Sequence, residues 1–118
     1  MSLVIAPPKQ VKCKVAIHVP RENAVGNETQ HVTATIKKLY GQDKESFIDS
    51  VGERNDIDVI RELCTDITGF LDADRKAIPF SDDLLEQIKD IDYIVSPLTR
   101  ECISVQDEAM RKLLNQKN

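Results

Sequence analysis

The side chains able to do chemistry in this 118-residue chain are few and scattered. Asp72 and Asp74, with Asp83 further on, have the opening spacing of a calcium loop. Such a loop needs glycine at its sixth position for a sharp turn and a bidentate Glu at its twelfth. Here the fifth position is Lys76, the sixth is Ala77 and the twelfth is the short Asp83, so the stretch reads as a polar turn. Zinc asks for clustered cysteine and histidine. The histidines, His18 and His31, fall on an expected hairpin, where two ligands are too few, and no C-x-x-C occurs. A cysteine nucleophile needs a low-pKa thiol beside a base, whereas Cys13, Cys64 and Cys102 fall on expected apolar faces and read as buried thiols. Four unclustered glycines leave no phosphate-cradling loop. The carboxylates read as helix caps and solvated faces. The expectation is a protein that is not an enzyme, with no catalytic residue, no cofactor and no metal, and with its protein-binding residues unspecified.

The elements that position these side chains follow from periodicity. Residues 1–10, with Pro7-Pro8, read as a flexible, extended arm whose Leu3-Val4-Ile5 either packs on a neighbour or is simply a loose chain end. Val11, Cys13, Val15, Ile17 and Val19 alternate with Lys12, Lys14, Ala16 and His18, the period of a half-buried strand that Pro20 ends. After a polar loop over 21–30, tipped by Gly26-Asn27, the residues Val32, Ala34 and Ile36 alternate with Thr33, Thr35 and Lys37. The two strands make an antiparallel hairpin over 11–38. The Asn27-Glu28-Thr29 triplet is a formal glycosylation acceptor that lacks a secretory context.

Beyond Tyr40 the period changes to that of helices. Asp43 to Val51 reads as a short helix with Phe47, Ile48 and Val51 inward, stopped by Gly52. Asn55 or Asp56 caps the next, whose apolar stripe is Ile57, Ile60, Leu63, Cys64 and Ile67 before Gly69 breaks the pattern. Phe70-Leu71 and Ala77-Ile78-Pro79-Phe80 are short extended arms around a reversal at 72–76. Ser81 starts another helix, with Asp82 and Asp83 favouring the positive end of its dipole and Phe80 and Leu85 forming a hydrophobic staple. A further helix is expected to begin at Tyr93. Pro97 either kinks it or occupies the first helical position behind a Ser96 cap, the second being the cheaper. Cys102, Val105, Ala109, Met110, Leu113 and Leu114 continue the helical face. The fold class is therefore α+β: an N-terminal antiparallel β-hairpin followed by a mainly α-helical body of four to five short helices, at 43–115, in one domain over residues 1–118.

The stretch carrying Gly69, Asp72, Asp74, Ile78-Pro79-Phe80-Ser81, Leu84-Leu85 and Tyr93-Ile94 resembles the tail assembly chaperones of long-tailed bacteriophages and prophages. In that family a helix is followed by a "W-x-G-V-x-D-x-x-G-x-P-V-P-F-S" turn and an "L-L-x-x-P-Y-V" lead into the last helix. This chain departs in having Thr68 near the usual tryptophan, Arg75-Lys76 where glycine is usual and Asp92 where proline is usual. The likeness extends over about three quarters of the chain and is a structural pattern, with no catalytic signature. It implies a chaperone that binds the tape measure protein during viral tail morphogenesis, recruits the tail tube subunit and is absent from the mature virion.

Composition bounds the alternatives. Apolar residues make up 41% and charged residues 31%, with three Phe, two Tyr and no Trp, so little aromatic surface is available for stacking on bases. Residues 1–40 carry six Lys/Arg against two Glu, a net of +4, and the remainder carries ten against eighteen acids, a net of −8. A basic hairpin on an acidic body suits protein partners and head-to-tail contacts between copies, and so a homo-oligomer, more than nucleic acid. The other readings are a generic oligomeric phage or prophage interaction module and, last, a nucleic-acid-binding hairpin using Lys12, Lys14, Arg21, Lys37 and Lys38. Leu3–Ala6 is too short for a signal-peptide core, no apolar run approaches membrane-spanning length, and an odd, unclustered cysteine set makes no disulfide framework. The host bacterial cytoplasm is the expected location.

Overall fold

A computed structural model describes residues 3, 5–23 and 25–107. Strands β1 (Gln10–Pro20) and β2 (Asn27–Lys37) form the hairpin, antiparallel with Val15 opposite Val32 and Cys13 opposite Ala34. Both strands run further toward the turn than the alternation suggested, leaving a loop of residues 21–26 that Gly26 closes at φ 102°. Helix α1 (Gly41–Ser50) follows and tightens into a 3-10 turn at Val51–Glu53. Gly52 therefore lies inside that turn and is not the left-handed stop expected of it. Helix α2 (Asp56–Leu63), strand β3 (Cys64–Thr68), helix α3 (Asp82–Ile88) and helix α4 (Asp92–Gln106) complete the fold, which is α+β as expected.

One element departs from the sequence reading. Cys64 and Ile67 were expected on the stripe of a continuing helix, but α2 ends at Leu63 and Cys64–Thr68 joins the sheet. The sheet order is β1-β2-β3, with Thr33 opposite Thr68, Ala34 opposite Ile67 and Thr35 opposite Asp66. Between Thr35 and Ile36 the register shifts, so that Ile36 faces Cys64 and Thr65 is extra. That bulge places Cys64 and Ile67, three residues apart, on the same buried face. Two-residue alternation with one inserted residue mimics the i, i+3 spacing of a helix. Thr65, Ile67 and Thr68 are β-branched and fit a pleated surface.

The core lies between one face of the sheet and the helices. Val15 and Ile17 of β1, Val32, Ala34 and Ile36 of β2, and Ile67 of β3 meet Val59, Ile60 and Leu63 of α2 and Leu98 and Cys102 of α4. Helix α4 lies across β1 and packs on α2. Pro97 stands inside α4, which starts at Asp92, so the cheaper placement at a first helical position is not adopted. Val95, Leu98, Thr99, Cys102 and Gln106 form one buried stripe along α4. Starting the helix at Pro97 would detach Val95 from that stripe. The cost of proline in a helix interior, about 3 kcal/mol, is offset by keeping the stripe whole. The expected continuation through Ala109, Met110, Leu113 and Leu114 lies outside the described residues.

Candidate functional site

The chain leaves β3 through Gly69, which has φ 113° and passes close over β2. A Cβ on Gly69 would lie 3.1 Å from Val32 Cα and 3.2 Å from the His31 carbonyl oxygen. Both the backbone conformation and the close approach call for glycine here. The passage sends Phe70 and Leu71 along the end of the sheet that holds Ile17, Val19 and Val32. Across from them stand Tyr93 and Ile94 at the start of α4. Together with Gln30 these residues border a groove of about 230 Å³ whose lining is about as polar as it is apolar. Leu71 is 56% exposed and Tyr93 40% exposed on its rim. The groove is smaller than the roughly 300–1,000 Å³ of small-molecule sites, and its walls hold no acid, base or nucleophile except the Tyr93 hydroxyl.

The reversal beside the groove is built as the sequence suggested. Leu71 bridges Ala77 antiparallel, and the Asp72 N–H donates to the Lys76 carbonyl at 2.9 Å. Asp72 Oδ1 accepts from the backbone N–H groups of Asp74 and Lys76, at 2.8 and 2.9 Å. The Asp72 carboxylate thus braces its own turn. Arg75 sits in the left-handed region at φ 62°, at the position where the chaperone pattern has glycine. Downstream, Ser81 Oγ accepts from the Leu84 N–H at 3.2 Å, capping α3 as expected, and Phe80 packs against the core that contains Leu85.

The other chemistry-bearing residues are held apart. His18 and His31 share the solvent face of the hairpin; His18 Nδ1 lies 3.1 Å from Thr29 Oγ1, and His31 stands opposite Ala16. Cys64 and Cys102 meet in the core, with sulfur atoms 3.6 Å apart, a pairing the sequence did not signal. The hydrogen bond with Cys64, then burial, push the Cys102 thiol well above its ordinary value, while the bond from Cys102 holds Cys64 lower. Among the described residues no group of three or more His, Cys, Asp or Glu is placed to hold a metal ion. No helix among them is long and apolar enough to cross a membrane. An open depression between the start of α2 and the α3–α4 junction carries both signs of charge, Arg54 and Lys89 against Asp56, Asp90 and Asp92.

Of the five basic residues named for a nucleic-acid surface, three share one face of the sheet and two stand apart. Lys38 reaches the end of α4, where its Nζ donates to the Val105 carbonyl at 2.5 Å. Lys12, Lys14 and Lys37 stand on the solvent face of the sheet, whereas Arg21 lies beyond its far end. A second surface is the outer edge of β1. The Lys38 N–H donates to the Lys9 carbonyl and the Arg21 N–H to the Gly26 carbonyl, so odd-numbered residues of β1 direct their backbone groups toward β2. Gln10, Lys12, Lys14, Ala16 and His18 direct theirs outward, along an edge that no strand covers among the described residues. Pro20 falls in the same outward set, where a missing N–H costs no ladder bond.

No family model, curated protein or solved structure matches the chain.

Proposed function

We propose that this protein is a tail assembly chaperone of a long-tailed phage or prophage, binding the tape measure protein while the tail is built. The observation that carries the reading is the groove with the large side chains of Leu71 and Tyr93 half exposed on its rim. A chaperone for long helices needs a shallow seat that grips one or two apolar side chains of the client and lets go. The residues behind the resemblance border this groove or build its neighbourhood: Gly69 sets the crossing, Asp72 braces the turn, Ser81 caps α3, and Tyr93-Ile94 form the wall. On this reading the protein performs no catalysis, works in the host cytoplasm, recruits the tail tube subunit and does not remain in the virion. Coating a long client calls for many copies, so the protein is a homo-oligomer whose association weakens with salt, its basic hairpin facing the acidic body of a neighbour.

Co-expression with the tape measure protein of the same gene cluster tests the client. Soluble co-purification with wild type, lost in Leu71→Asp and Tyr93→Asp, is the expected result. A tape measure protein that aggregates equally with and without the wild type would overturn it. The β1 edge, uncovered among the described residues, favours a second reading, a generic oligomeric phage module that associates through β-strand addition. Sedimentation that shows oligomers, together with failure to bind the tape measure protein, would select it.

A further inference from the structure

We infer that the amino-terminal arm of one copy seats in the Leu71–Tyr93 groove of another, linking copies head to tail. The inference rests on the groove described above and concerns what fills it before a client arrives. Leu3 and Ile5 are each 93% exposed, an arrangement that water disfavours for two aliphatic side chains so close in sequence. The arm's departure is set by the Tyr40 hydroxyl, which donates to the Pro8 carbonyl at 2.6 Å, and by the Lys38–Lys9 backbone bond at 2.9 Å.

These anchors put the arm beyond reach of its own groove. The groove's floor begins at Val32, which stands opposite Val15, seven residues along β1 from Pro8, or about 23 Å at strand rise. Fully extended, the five residues from Pro8 back to Leu3 span at most about 17 Å. Arm and groove therefore lie at opposite ends of the same sheet, and the arm can fill only a neighbour's groove. Two different surfaces meeting in this way make a heterologous contact, which propagates into a ring or an open filament. The charges agree with that polarity. Lys9, Lys12 and Lys14 at the arm's base are exposed, and beside the Tyr93 wall that would receive it the exposed Asp90 and Asp92 outnumber the exposed Lys89.

The test is site-directed cross-linking in a full-length Cys13→Ser background. A chain carrying Ile5→Cys and Leu71→Cys should yield, under mild oxidation, a ladder of dimers, trimers and higher species. The ladder should carry 5–71 disulfides by peptide mapping in place of 5–5 and 71–71 bonds. Either substitution alone should stop at dimers, and adding Leu3→Asp to the pair should remove the 5–71 bond. Absence of any species beyond those of the single variants overturns the inference. In parallel, the Leu3→Asp/Ile5→Asp variant should sediment as a smaller species than wild type, with its association weakened at least ten-fold. Both substituted residues are solvent-exposed, so an unchanged melting temperature excludes unfolding as the cause. Association equal to wild type would overturn the arm contact and direct attention to the β1 edge. None of these readouts uses a client. Failure of the tape measure protein to bind would remove the chaperone reading alone, and loss of the ladder would remove only the arm.

Discussion

The Leu39 N–H donates to Gln106 Oε1 at 2.7 Å, and Gln106 Nε2 donates in turn to the Lys37 carbonyl at 2.6 Å. One fully buried amide thus joins the last turn of α4 to the chain as it leaves β2. Both functional ends of the glutamine are satisfied, which is what makes its burial affordable in free energy.

Replacing this residue should be costly. Gln106→Leu keeps the volume but leaves the Leu39 N–H and the Lys37 carbonyl without their partner, each worth about 1–3 kcal/mol when buried. The expected loss is about 2–4 kcal/mol in urea denaturation. An unchanged midpoint would mean that water reaches the site.

At the start of α3, Ser81→Ala should cost about 1 kcal/mol through loss of the cap on the Leu84 N–H. Phe80→Ala should cost about 2 kcal/mol, below the usual 3–5 for large aromatic truncations because Phe80 is only partly buried. Thermal melts of both variants decide this, and a larger loss for Ser81→Ala would contradict it.

Arg75 offers a stabilising change. A residue with a Cβ in the left-handed region costs about 1–2 kcal/mol relative to the right-handed one, and glycine gives back up to about 1 kcal/mol in the entropy of the unfolded chain. Arg75→Gly should therefore gain about 0.5–1 kcal/mol. A lower melting temperature in the variant would show that the arginine side chain contributes more than its backbone conformation costs.

The thiol pair predicts a pH dependence. Cys102 is raised in the folded protein by its hydrogen bond with Cys64 and by burial. Unfolded, the same thiol ionises near its ordinary value of 9.0. Below that pH both states keep the proton and the contribution to stability is complete. As pH rises past about 9 only the unfolded chain releases it, so stability falls. Cys64, held lower by the same bond, offsets part of this fall, so Cys64→Ala should lose more stability between pH 8 and pH 10 than wild type does. Identical slopes would refute the assignment.

How much of this was legible beforehand differs from residue to residue. The hairpin was, because Val15 and Ile17 alternate with Lys14 and Ala16 and the strand period belongs to local geometry. The Asp72 turn and the Ser81 cap were also, since a short side-chain oxygen satisfies backbone donors only a few residues away. Local hydrogen bonding is written into adjacent residues and survives without knowledge of the fold. The groove was not, although its neighbours Gly69 and Tyr93 were both noticed. Its walls come from residues as far apart as Ile17 and Ile94 and meet only once β2 is packed.

The amino-acid sequence alone determined where the chain alternates, where it turns and which side chains start α3. Tertiary packing alone decided that Cys64–Thr68 is a strand, that α4 runs through Pro97, and that Gln106 is buried. In each of these three cases the local signal was ambiguous or unfavourable. A spacing of three fits a helix and a bulged strand equally, proline opposes a helix interior, and glutamine prefers water. The contacts that settled them, β3 on β2, the α4 stripe on the core, and the amide between Lys37 and Leu39, join residues some thirty to seventy positions apart. Free energy gained over such separations exists only in the folded chain, and there it outweighs local preferences of one to three kcal/mol, about the size of a helix propensity or a single cap.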